Sequence, residues 1–149
     1  METKNKDVIE KLDHLIAIAE DGKKGYKNAS EDVDDVKMKA LFTRFSDERA
    51  SYVKQLQVQE ITLGGLPEEG GGPIGALHRV WMDMKSIFTS GDKDAIIKAC
   101  ITGEEAAVAA YQEALQNDFI TGKIREVISA KLAGIQNALQ TIQSQTSKA

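Results

Sequence analysis

The 149-residue sequence predicts an all-α fold, a four-helix bundle with one long crossover that carries an extra short helix. Three observations predict it. Helix-favouring Ala, Lys, Glu, Leu and Gln are abundant, and sustained period-2 alternation is absent. Apolar residues recur at spacings of three and four over four long windows. Both prolines, Pro67 and Pro73, and six of the twelve glycines fall in one stretch, Gly64 to Gly75, which splits the chain into similar halves.

The first long helix, about 7–30, carries the stripe Val8, Leu12, Leu15, Ala19, Gly22, Tyr26 and Ala29. Its 4-3 spacing suits bundle packing. The polar cluster Ser30 to Asp35 ends it and supplies an N-cap for the next helix. The second helix, about 35–63, aligns Met38, Leu41, Phe45, Glu48, Tyr52, Leu56, Gln59 and Leu63, and Gly64 suits the C′ position. A crossover helix, about 74–90, starts behind Pro73 and stops at Gly91. Asp92 caps the next long helix, about 93–118, with the stripe Ile97, Ile101, Glu104, Val108, Tyr111 and Leu115. A turn around Asp118 to Gly122 leads to the last helix, about 122–144, striped by Ile124, Ile128, Lys131, Ile135, Ala138 or Leu139, and Ile142.

Short connections make each pair of long helices an antiparallel hairpin, and the crossover carries the chain back along the bundle. The predicted order is up, down, crossover, down, up, in a single domain spanning 1–149. Sparse matches, such as Tyr26 with Tyr111 and Glu20 with Glu105, fit a duplicated hairpin.

Composition excludes several classes. No apolar run is long enough for a transmembrane helix, and no helix pairs a basic face with a broad apolar one, so no membrane contact is expected. The polar N-terminus predicts no signal peptide and a cytoplasmic location. Cys100 is the single cysteine, so no intrachain disulfide forms. The net charge of −4 argues against nucleic acid. Gly70-Gly71-Gly72 lacks the strand and Gly-Lys-Ser/Thr of a phosphate loop.

Polar residues interrupt the seams. Glu48 and Glu104 stand where apolar residues belong, as does Lys131, and all three tyrosines, Tyr26, Tyr52 and Tyr111, lie on seams. A core carboxylate costs several kcal/mol unless it is paired, protonated or bound to a cation. Three readings follow. Lys131 neutralises Glu48 or Glu104 within a buried polar network completed by the tyrosines. Alternatively, Glu48 and Glu104 hold a single iron or manganese ion, because hard cations take oxygen ligands. In the third, the carboxylates lie off the seam and are exposed. A full dinuclear site needs Glu-x-x-His pairs, which neither His14 nor His78 completes. On the crossover, Leu77, Trp81 and Met84 form an apolar face, and His78, Trp81 and Met82 offer a surface for a partner. His14 faces solvent. Gly22 and Gly25 weaken their helix, which points to close approach of another backbone or of the crossover helix.

The segment Gly103-Glu104-Glu105-Ala106-Ala107-Val108-Ala109-Ala110-Tyr111 resembles the Gly-Glu…Tyr helix of rubrerythrin-like proteins. Over about 7–143 the chain resembles a bacterial ferritin-like family of unknown function. The residues that carry this are Asp21-Gly22-x-x-Gly25-Tyr26, Asp47-Glu48-Arg49-Ala50, Gly75-Ala76-Leu77-His78-Arg79-x-Trp81-Met82-Asp83-x-Lys85 and Ala133-Gly134-Ile135. The resemblance implies a ferritin-like bundle with one crossover. Among the ligand positions of rubrerythrin-like relatives it retains only Glu48 and Glu104, and it departs from the pattern at Ala19 and Lys131.

The function expected is therefore non-catalytic. The chain is read as a structural or interaction protein with a degenerate di-metal site, acting as a homodimer or on another protein partner, in a stress response. No cofactor is expected. The alternative is a redox or storage protein holding one iron or manganese ion through Glu48 and Glu104.

Overall fold

The apolar stripes become helices in a computed structural model that describes residues 2–66, 81, 84–89 and 91–146. These helices are α1 (Glu2–Asp32), α2 (Val36–Thr62), α3 (Lys85–Thr89), α4 (Lys93–Leu115) and α5 (Gly122–Thr146). There is no strand among the described residues. The α1 stripe is buried along its whole predicted length, from Val8 to Ala29. The helix itself reaches back to Glu2, beyond the predicted start.

Local chemistry sets the helix ends. The Asp35 carboxylate accepts the Met38 amide at 2.9 Å, satisfying an orphan donor at the start of α2. Gly64, with φ of 87°, follows the C-cap Leu63 in the left-handed conformation that glycine adopts without steric cost. α4 stops at Leu115 rather than near 118, because the chain turns into Ile120, which is buried. Arg125 holds this turn, donating to the Leu115 carbonyl at 2.8 Å and to the Ile120 carbonyl at 3.3 Å.

Contacts between helices fix the topology. The Ser46 hydroxyl donates to the Lys23 carbonyl at 2.9 Å and ties α2 to α1 within the first hairpin. α1 and α4 run antiparallel: Lys11 meets Glu113 at 2.8 Å, and further along Tyr111 donates to the Leu15 carbonyl at 3.0 Å. Being antiparallel to the same helix, α2 and α4 point the same way, so the end of α2 and the start of α4 lie toward opposite ends of the bundle. α5 folds back on α4 and reaches α2, where Lys131 bonds Gln55. The order is up, down, down, up, as the sequence predicts.

The buried face of α2 differs from the predicted stripe. It comprises Met38, Phe42, Phe45, Ser46, Arg49, Val53, Leu56 and Glu60. Leu41 and Tyr52 pack at its flank, and Glu48 and Gln59 are partly exposed. The helix is turned by about one residue, which puts the larger Phe42 inward in place of Leu41. On α4, Ile97, Glu104 and Tyr111 are buried as predicted, but Ile101, Val108 and Leu115 flank the core and Cys100, Ala107 and Ala114 line it. On α5, Ile128, Lys131, Ile135, Ala138 and Ile142 are all buried.

Trp81, Met84 and Phe88 are core residues. This corrects the expectation that Trp81 serves a partner surface. Its indole lies 5.8 Å from the Tyr26 ring and 6.5 Å from the Phe88 ring, between α1 and α4. His78 and Met82 lie outside the described residues. Among the described residues no helix is long and apolar enough to cross a membrane.

Candidate functional site

The middle of the bundle holds a buried charge pair. Arg49 enters from α2 and Glu104 from α4, and the guanidinium Nη2 donates to the carboxylate Oε2. Their side chains are 3% and 0% exposed, so solvent does not screen the pair. Tyr26 and Tyr52 flank the guanidinium, with ring centroids 5.5 Å and 5.9 Å from its central carbon. These distances favour cation–π attraction. A Cβ at position 22 would lie 2.9 Å from Arg49 Nη1, so Gly22 gives the guanidinium its space.

The electrostatics follow from burial and from this pairing. Burial alone lowers the basicity of Arg49, but the facing Glu104 carboxylate outweighs it and holds the guanidinium above its ordinary pKa. Burial, then Glu104, push the Tyr26 hydroxyl well above the usual phenol range. Burial also raises Tyr111, whose hydroxyl is satisfied by Leu15. Burial and then Glu104 raise the Cys100 thiol well above its ordinary value. It is therefore held as a neutral thiol rather than the nucleophilic thiolate. The Tyr26 hydroxyl and Glu104 Oε1 are both fully buried beside the ion pair, and the Glu104 carboxylate lies close enough to the Tyr26 hydroxyl to hold its proton in place.

Lys131 occupies a second polar position, where α5 meets α2. Its ammonium donates to Gln55 Oε1 and sits 5.3 Å from the Tyr52 ring centroid. The Tyr52 hydroxyl fills the space where Gly134 has no side chain. Burial lowers the pKa of Lys131. This corrects the expected partnership: Lys131 neutralises neither Glu48 nor Glu104. Glu48 is 37% exposed at its side chain and lies 3.6 Å from Arg44, one turn earlier on the same helix. It is off the buried seam.

Tyr26, Tyr52, Tyr111 and Glu104 thus gather around Arg49, whereas Glu48 lies outside that group and has its own cation. Among the described residues no three His, Cys, Asp or Glu side chains converge as metal ligands. A cation at Glu104 must compete with a guanidinium already in place. The compensating charge expected from Lys131 is supplied by Arg49, a residue that the predicted α2 stripe passed over by one step. Two signals could have found it. Met38, Phe42, Phe45, Arg49 and Leu56 form an equally regular helical stripe, and Gly22 on the opposing helix leaves room for a large side chain.

No curated protein matches the chain. A family model described as a domain of unknown function, DUF2383, matches residues 7–117, more than half of the sequence, and the chain belongs to that family.

Proposed function

We propose that this chain is a non-catalytic bundle that acts by association, as a homodimer or with another protein in the cytoplasm. Its centre is a structural ion pair standing where a ferritin-like relative would hold metal. The single-crossover topology is that of ferritin-like bundles. The observation that carries the reading is the sealed Arg49–Glu104 pair. A buried carboxylate needs a compensating cation, and here the chain supplies one. The thiol and phenols around the pair are held protonated, which favours structure over acid–base or nucleophilic work. A net charge of −4 supports a protein partner over nucleic acid.

One observation favours the alternative of a single iron or manganese ion. Glu104 Oε1 is fully buried, takes no part in the contact with Arg49 and is a ready oxygen donor. Metal counting separates the two. Protein prepared without a chelating column is offered Fe(II), Mn(II) and Zn(II) anaerobically, and bound ions are measured by elemental analysis. The expected result is no stoichiometric ion. About one ion per chain, lost in both Glu48→Ala and Glu104→Ala, would establish the metal reading instead. Light scattering on the same sample is expected to give twice the chain mass. A monomer at every concentration would remove the homodimer and leave a different protein as the partner.

A further inference from the structure

The two faces of α5 differ in kind. One packs into the bundle through Ile128, Lys131, Ile135, Ala138 and Ile142, at spacings of three and four. The opposite face repeats that spacing with Ala130, Ala133, Asn137 and Gln140, flanked by Ser129 and Gln136, and all six are exposed. Between Glu126 and Lys148 the chain holds a single charged residue, Lys131, and that one is buried in the bundle. The outer face of α5 therefore carries no charge beyond Glu126. The other long helices do carry charge outward: Lys24 and Lys27 on α1, Arg44 and Asp47 on α2, and Lys98 and Glu105 on α4 are all exposed. A helix face turned to water is ordinarily charged, and depletion of charge marks the centre of an interface.

We propose that the outer face of α5 is the contact surface for a second copy of the chain, the two α5 helices packing antiparallel across a two-fold axis at the level of Ile135. This rests on the homodimer reading above and names its surface. A two-fold contact uses the same patch on both copies, so the patch must complement itself. With the axis at that level, Ala133 faces the partner's Asn137 and Ala130 faces the partner's Gln140. Small side chains meet large ones at every step, which lets the two rows interdigitate. Moving the axis by one turn sets alanine on alanine or amide on amide, as parallel pairing does, and leaves gaps at one level and crowding at another. Side-chain amides both donate and accept hydrogen bonds, so identical faces pair without setting like charges together. A partner recognised by its charge would find nothing to meet on this face.

The full chain is studied by sedimentation equilibrium across concentration, at low and high salt. A dimer is expected whose dissociation constant changes less than about threefold between roughly 0.05 and 0.5 M salt, because no charges meet across it. Ala133→Glu sets two carboxylates about 6 Å apart along the helix direction. It is expected to weaken the dimer by about tenfold or more, with helix content unchanged. Ala109→Glu adds the same charge at an exposed site on α4 and is expected to leave the dimer as it is. Adding Asn137→Lys to Ala133→Glu brings opposite charges together across the axis and is expected to restore association, now sensitive to salt. If Ala133→Glu does not fold, Asn137→Lys alone carries the same test. A dimer that folded Ala133→Glu or Asn137→Lys protein forms as tightly as wild type overturns this assignment while the homodimer reading stands. A monomer at every concentration removes both.

Discussion

Two cationic side chains in this bundle meet burial in opposite ways. Arg49 lies at the centre, sealed from solvent and paired with Glu104. Lys131 lies where α5 meets α2, and its ammonium bonds a neutral, exposed glutamine. The guanidinium is held above its ordinary pKa, whereas the ammonium is pushed below its own. In the deep interior a charge persists only with a counter-charge and a donor geometry that fits it, which a planar guanidinium provides for a carboxylate. Lys131, with a neutral acceptor in place of a counter-charge, has nothing to offset its desolvation, and its charged form is disfavoured.

The comparison breaks hardest at Glu104. Glu104→Ala strands the Arg49 charge in the core, with an expected loss of about 3–5 kcal/mol in denaturant unfolding. A loss below about 1 kcal/mol would mean that the guanidinium finds water or another acceptor without cost.

Alkaline titration gives the next largest effect. The Cys100 thiol and the Tyr26 and Tyr111 phenols have folded pKa values raised above the unfolded references of 9.0 and 10.0. Their contribution is complete below those references and is lost as pH rises from about 9 toward the folded values, because the unfolded chain then releases protons that the fold retains. Lys131, lowered from 10.5, acts in the opposite sense: its contribution rises as pH passes through the folded value and levels off once the unfolded chain deprotonates near 10.5. Because its ammonium is less enclosed, a net fall in melting temperature above about pH 9 is expected. Trp81→Phe should keep the direction of this fall, and Lys131→Met should steepen it.

The smallest effect belongs to Glu48. Glu48→Ala removes only a half-exposed pair with Arg44 and should change stability by no more than about 0.5 kcal/mol. A loss comparable to that of Glu104→Ala would place Glu48 in the buried network after all.

Much of this arrangement is legible in the sequence. The α1 seam from Val8 to Ala29 reads directly, because it contains no competing stripe. The α5 seam, with Lys131 in it, reads almost as well, and the capping role at Asp35 follows from the polar cluster before α2. The α2 seam does not read uniquely. Phe45 and Leu56 belong to both candidate stripes, so periodicity alone cannot choose between Glu48 and Arg49. That choice is made across the bundle, where Gly22 leaves space for one side chain and Glu104 supplies the charge. Trp81 misleads for a related reason. A large aromatic on a short amphipathic helix suits a partner surface or a core equally, and only the facing glycines, Gly25 and Gly103, decide for the core. Local pattern thus specifies which face is apolar, while polar pairing in the interior depends on residues distant in sequence.

The most direct test of the central claim is a double-mutant cycle on stability, with Arg49→Met, Glu104→Leu and the two combined. Each single variant leaves an uncompensated charge or its desolvated partner, so each is expected to lose about 3–5 kcal/mol. The double variant removes both charges and is expected to recover most of that loss, giving a coupling of several kcal/mol. Additive losses in the double variant would contradict the account, because they would show that Glu104 draws its compensation from something other than Arg49.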